Sequence, residues 1–277
     1  SGVYFLDPKS SIYIERAENE FLVKSLEGVF PYSEKFNIFD SLYDSNLRVY
    51  LQPYKDSVAL DITKTPTRAY IIYWEDWFSE NKKGKLLVFD LTENLNSEEI
   101  NEIDLAFLPR SISVDSNGII VVLGIKNEDE FIIYKSSDEG KTWSEFATND
   151  PFENPSGWMG EIKINPFDNN EIMITSWNGN IFFVKNSEIT SPYLPYDSSK
   201  NILNLPFSIA YDDQTPNTIY VGSTQGFFYS EDHGETWKEF NDCLFSEDIR
   251  VIIPRGDKIF IGTWGSGNAV ILKEKLV

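Results

Sequence analysis

The octet SSDEGKTW at residues 136–143 returns as SEDHGETW at 230–237, with Ser, Asp, Gly, Thr and Trp in the same five positions. The copies also share a setting. An apolar run (EFIIY, GFFY) leads in, and an aromatic segment (SEF, KEF) leads out. A turn kept twice points to a repeated supersecondary unit, and a repeat constrains a fold more tightly than composition does. The copies stand 94 residues apart, and residues 171–190, EIMITSWNGNIFFVKNSEIT, supply a degraded copy between them. That segment keeps both apolar runs and the glycine turn of TIYVGSTQGFFYSEDHGETW but lacks the Asp, Gly and Trp of the motif. A period of about 47 residues follows, and 277 residues hold close to six such units.

The same template (strand, polar turn, strand, loop, strand) places units at 3–24, 58–90, 111–147, 159–190, 206–240 and 249–272. Their runs are short, rich in Ile, Val, Phe and Tyr, and broken by Asp, Asn, Gly and Pro, which is the chemistry of strands and turns. No segment beyond about ten residues sustains a helical period. Residues 93–104, ENLNSEEINEID, read as a polar loop or one helical turn. Six all-β units of this length fit a six-bladed β-propeller with one antiparallel sheet per unit, seven blades being the alternative. A single propeller domain over 1–277 is the expected organisation. The last unit carries no fourth strand-like run, so LRVYLQP at 47–53 is expected to form an outer strand, on the first blade in preference to the last.

Within each octet the carboxylate of Asp138 or Asp232 suits acceptance of backbone N–H groups further along, as in an Asx-turn. Gly140 and Gly234 supply a positive φ. Thr142 and Thr236 can close the loop, and Trp143 and Trp237 offer rings for burial between neighbouring sheets. With Ser136 and Ser230, these residues resemble the Asp-box, or bacterial neuraminidase repeat, of sialidases, sortilin-type receptors and xyloglucan-hydrolysing enzymes. A further stretch, GWMGEIKINPFDNNEIMITSW at 157–177, resembles blades of the xyloglucanase and sortilin-like group. The resemblance covers about residues 109–272. It implies a propeller in which the box staples the third-to-fourth strand turn, on the face opposite the ligand.

Charge and scarce residue types remove several functions. Against 24 basic side chains stand 44 acidic ones, a formal charge of −20. That balance repels nucleic acid and anionic membranes. No apolar stretch reaches the roughly 18 residues of a membrane span, so no membrane insertion is expected. The opening SGVYFLDP lacks the basic flank and apolar core of a signal peptide. The compartment stays open, with an extracellular or cell-surface setting preferred. One cysteine, Cys243, excludes an internal disulfide and a thiolate cage, and reads as a small buried thiol. The one histidine, His233, has no second imidazole or adjacent nucleophile to work with, and is expected to face solvent. No Asp-x-Asp-x-Asp-Gly loop is present for calcium. Neither a metal nor a cofactor is expected.

In a propeller, second-to-third strand loops and blade connections emerge on one face. Here they carry Trp74 and Trp77, Trp177 beside Asn178, Trp264, and Trp158. Indoles beside Asn, Asp and Gly suit stacking on a sugar or on a peptide side chain. Arg110 and Arg250 both open an innermost strand, where they can pair with an anion. A sialidase-like site needs a third arginine, but Arg16 falls at another strand position and the Arg-Ile-Pro segment of that family is missing. Glu161 and Asp76 are the remaining acids for a glycosidase pair, although the resemblance implies carboxylates drawn from two propellers in xyloglucanases. The expected function is a monomeric, non-catalytic recognition module for a protein partner or a glycan. A glycoside hydrolase or lyase is the alternative.

Overall fold

Runs of β-branched and aromatic residues cut by Gly, Asn or Asp turns fold as successive antiparallel hairpins. The computed structural model describes residues 3–7, 12–17, 20–25, 58–61, 64, 66–75, 83–90, 101–127, 130–146, 159–176, 179–186, 188–191, 194–195, 197–200, 202–242, 244–264 and 267–276. Among them the strands form six sheets, each hydrogen-bonded in chain order. Val3–Asp7, Ile12–Ala17 and Glu20–Ser25 (β1–β3) make the first. Val58–Asp61, Arg68–Glu75, Lys83–Asp90 and Asn101–Leu105 (β4–β7) make the second. The third holds Leu108–Val114, Ile120–Asn127, Glu130–Ser136 and Ser144–Glu145 (β8–β11), and the fourth Met159–Ile164, Glu171–Ser176, Ile181–Lys185 and Glu188–Thr190 (β12–β15). Pro206–Tyr211, Ile219–Ser223, Gly226–Ser230 and Lys238–Glu239 (β16–β19) form the fifth, and Ile249–Arg255, Lys258–Thr263 and Asn268–Leu272 (β20–β22) the sixth. Helix among the described residues is limited to single 3-10 turns at Ser198–Lys200 and Lys273–Lys275.

The chain divides into two compact units, 1–128 with 135–144, and 129–134 with 145–277. In the first unit β8 packs on the sheet β4–β7. In the second, the first strands β12, β16 and β20 lie side by side, and β16 and β20 each also meet the second strand of the sheet before. The core therefore runs between sheets. Met173, Ile181, Phe183, Ile209, Val221 and Phe228 fill the layer between β12–β15 and β16–β19. Tyr220, Phe227, Tyr229, Ile252, Ile259 and Ile271 fill the next.

This layering explains the sequence pattern. Strands β13, β17 and β18 are buried at every residue, and β17 and β18 supply side chains to the layers on both faces of their sheet. They read as continuous apolar runs rather than as an alternation. The fourth strands are the opposite: β11 and β19 are exposed throughout, and β7 buries only Leu105. Asn101–Leu105 accordingly corrects the reading of 93–104 as a loop or helical turn at its C-terminal end. Ile103 and Leu105 share the covered face of β7, but two apolar residues in a five-residue strand make too short an alternation to tell from a polar loop. The third sheet also starts earlier than expected, at Leu108. The segment 47–53 and Cys243 lie outside the described residues.

Candidate functional site

Antiparallel order sorts the turns of each sheet. First-to-second and third-to-fourth turns lie at one end; second-to-third turns and the connections entering the first strand lie at the other. Near that second end four of the six first strands share an irregularity. Pairing slips between Pro109 and Ser111 in β8, Met159 and Ile162 in β12, Pro206 and Ser208 in β16, and Ile249 and Val251 in β20. An extra residue bends its strand and re-aims its side chain. Arg110, Phe207 and Arg250 occupy that position.

The residue after the bulge ties one first strand to the next. Glu161 Oε2 accepts bonds from Ser208 Oγ at 3.0 Å and from Ile209 N at 2.9 Å. Ser208 Oγ in turn accepts the Ile252 N–H at 3.0 Å. Lys163 Nζ lies 2.9 Å from Glu161 Oε1. Adjacent first strands belong to different sheets, so these N–H groups find side-chain acceptors in place of backbone ones. Glu161 is buried in this tie.

Beside it stands a three-layer stack. The Arg250 guanidinium carbon sits 3.6 Å from the centre of the Phe207 ring and 5.1 Å from that of Trp264. Asp248 fixes the plane: Arg250 Nε and Nη2 donate to its two carboxylate oxygens at 2.6 and 2.8 Å. Such a planar cation between rings combines cation–π attraction with a bidentate pair. The Trp264 backbone N–H donates to Asp248 O at 2.8 Å, and Thr263 closes the loop onto Gly267 O through its N–H and its hydroxyl. Trp264 is nevertheless 67% exposed. It is an indole held in place and left open to solvent.

The connection entering β16 is fastened by Gln225, which is buried in the tight β17–β18 turn. Its Nε2 donates to Asp197 O and Ile202 O at 3.1 and 2.7 Å, and its Oε1 accepts the Asp197 N–H at 3.0 Å. Lys200 Nζ joins this connection to the one entering β20, at 3.3 Å from Glu239 Oε1 and 2.8 Å from Glu247 Oε2. Burial opposes the Lys200 charge, but the two carboxylates outweigh it and hold the ammonium above its ordinary range. Between these fastenings Leu203 and Phe245 are 68% and 87% exposed, and Ile202 is exposed as well.

The opposite end carries the repeated octets, which fold bond for bond alike. Thr142 N and Thr236 N donate to Asp138 Oδ1 and Asp232 Oδ1 at 2.9 and 2.8 Å. The hydroxyls of Ser136 and Thr142 also donate to Asp138, as those of Ser230 and Thr236 do to Asp232. Led by the Thr hydroxyls, these bonds hold both carboxyls down at about 2. Ser136 Oγ and Ser230 Oγ accept the Gly140 and Gly234 N–H groups at 2.9 and 2.8 Å. The glycines are left-handed, with φ 86° in each copy, and so are Glu139 and His233 before them, at 62° and 63°. Trp143 meets Phe107 edge-on at 5.5 Å, and Trp237 packs on the layer of Met173 and Phe183. Both indole Nε1 groups are buried with no acceptor among the described residues.

His233, expected to face solvent, is half-buried and does so only in part. Its Nε2 lies 3.1 Å from Oε1 of the buried Glu171, and its ring lies 5.3 Å from Phe183. Glu171 also receives Asn165 Nδ2 at 2.8 Å, Tyr211 Oη at 3.1 Å and Lys185 Nζ at 3.2 Å. Burial first, and this carboxylate second, raise the Tyr211 phenol well above its ordinary range. In the other octet the equivalent Glu139 pairs with Arg68, the first residue of its strand as Glu171 is of its own. The last sheet does the same with different residues: Lys273 meets Asp212 and Asp213 at 2.6 and 2.8 Å, and Leu276 enters the core layer as the tryptophans do.

Of the residues singled out in the sequence, the structure brings Arg250 and Trp264 together. Arg110 belongs to the other compact unit. Trp74 is not in a loop: β5 runs through Glu75, pairing Trp74 with Gly84 and Glu75 with Lys83. Asp76, Trp77, Trp158, Trp177 and Asn178 lie outside the described residues. Phe207, Asp248, Leu203 and Phe245 escaped notice. The alignment of PFSI with IRVI at the start of two first strands was the available signal for Phe207.

No protein-family model and no curated protein matches the chain. Solved structures do. The extracellular domain of BT4673 from B. thetaiotaomicron aligns with 94% of this chain and 31% of its own, at 13% identity and a TM-score of 0.55. The GH74 xyloglucanase from Xanthomonas campestris aligns with 97% of this chain and 51% of its own, at 13% identity and a TM-score of 0.54. The chain thus spans about a third and about half of the structures it matches. Both are β-propeller proteins, and at this identity the likeness concerns the fold alone.

Proposed function

We propose that the chain is a single six-bladed propeller domain of the Asp-box type, acting as a monomeric, non-catalytic recognition module for a protein partner or a glycan. The observation that carries this reading is the Phe207–Arg250–Trp264 stack, in which an exposed indole is held rigid by an arginine already neutralised by Asp248. Ordering an indole before the ligand arrives lowers the entropic cost of binding, and exposed aromatic anchors mark contact surfaces. Because Arg250 is occupied, the face favours neutral or basic ligands over anionic ones. The repeated turns lie at the other end of their sheets, which agrees with a structural part for them. The charge of −20 disfavours nucleic acid.

The test is intrinsic-fluorescence titration of wild type and of a Trp177→Ala, Trp264→Ala double variant against neutral glycans and a set of cell-surface proteins. The expected result is binding that the double variant loses. Equal binding by both proteins would reduce the stack to packing. Turnover of a glycoside by wild type, abolished in Asp76→Asn or Glu161→Gln, would make the chain a hydrolase instead.

A further inference from the structure

Building on the recognition reading, we infer that the partner is a protein segment whose large apolar side chains are flanked by lysine or arginine, and that it docks on the patch of Ile202, Leu203 and Phe245. Three observations converge on this occupant. The first is exposure: Leu203 and Phe245 present about two thirds and more of their surface to water, on two connections entering neighbouring first strands. Isolated exposed apolar residues are ordinary, but these stand on two connections that the Lys200–Glu247 pair joins, at one end of adjacent sheets, where apolar exposure points to an interaction surface.

The second is rigidity. The connection entering β16 is pinned by Gln225 to Asp197 and Ile202 and by Thr224 to Leu203 and Leu205, and its Lys200 ties it to Glu239 and to Glu247 of the connection entering β20. Leu244, next to Phe245, packs into the core layer, so the backbone under the exposed ring is anchored. A surface prepared in this way spends little entropy on association.

The third is charge, which separates a basic segment from other occupants. The two connections, with the strand residues bonded to them, carry five carboxylates, Asp197, Glu239, Asp242, Glu247 and Asp248, against two cations, Lys200 and Arg250, an excess of three negative charges. Both cations are already bound to these acids, Lys200 to two of them and Arg250 to Asp248. A second copy of this chain, at −20, would be repelled. A neutral glycan would leave the acidic rim without a counterpart, whereas lysine or arginine flanking an apolar anchor meets rim and centre together.

The experiment is selection of a random 12-residue peptide library displayed on phage against the whole chain, followed by fluorescence-polarisation titration of the winning peptides. Three exposed-surface variants are titrated beside wild type: Leu203→Ser with Phe245→Ser, Asp242→Asn with Glu247→Gln, and Trp264→Ala. The expected winners combine large apolar with basic residues. Their affinity falls at least tenfold in the apolar variant, and several-fold in the acidic one at low salt. Winners without basic residues, winners unaffected by the apolar variant, or no enrichment at all would each overturn the proposal. Should neutral glycan binding persist and depend on Trp264, the recognition reading survives and only the protein-segment reading falls. Should no ligand respond to any of the three variants, both fall.

Discussion

Replacing Ser208 by alanine tests the side-chain tie between first strands. Ser208 is 1% exposed, donates to Glu161 Oε2 and accepts the Ile252 N–H. The substitution removes one bond to a carboxylate, worth about 1.5–3 kcal/mol, and strands one buried N–H at a cost of about 1–3 kcal/mol. A loss of about 2.5–6 kcal/mol follows, a large part of the roughly 5–15 kcal/mol that holds a typical domain together. Urea unfolding should show a lower midpoint at unchanged slope. Amide exchange at Ile252 should accelerate more than at Ile209, which keeps its bond to Glu161. A destabilisation under about 1 kcal/mol, or unchanged exchange at Ile252, would refute the tie. The same experiment bears on Glu161, because a carboxylate committed to Ser208 and Ile209 has a structural duty that any catalytic role would have to share.

Three further outcomes are expected. Asp232 titrates near 2 in the fold against about 3.9 in the unfolded chain. Its stabilising contribution is therefore complete above about pH 4 and is lost as pH falls toward 2. The melting temperature of Asp232→Asn should trail wild type at pH 6, by a gap that narrows by pH 2.5, with ligand binding unaffected. Trp237→Phe should cost far less than Trp237→Ala, for which about 3 kcal/mol is expected. The indole N–H has no acceptor among the described residues to lose, and chemical denaturation of both variants checks this. Arg250→Lys keeps the charge but loses the planar fork, so Trp264 fluorescence should shift to the red and lose anisotropy while the melting temperature changes little.

What the sequence determined by itself was local or doubly buried. Each octet makes its bonds within eight consecutive residues, so Ser, Asp, Gly, Thr and Trp at fixed spacing were enough to foresee carboxylate-closed turns with left-handed glycines. Strands such as β13 and β17 were equally plain, because burial on both faces writes an unbroken apolar run. Strand β7 left only a faint trace, since its covered face holds just Ile103 and Leu105 among acidic and amide residues. Only the tertiary structure decided the site. Phe207 and Arg250 meet because a one-residue bulge in each of two first strands re-aims them, and a bulge is a matter of register between strands, invisible to periodicity. His233 found Glu171 on the preceding sheet, and Glu161 found Ser208 and Ile209 on the following one. Such partners lie far apart along the chain, and packing of sheet on sheet brings them within hydrogen-bond reach.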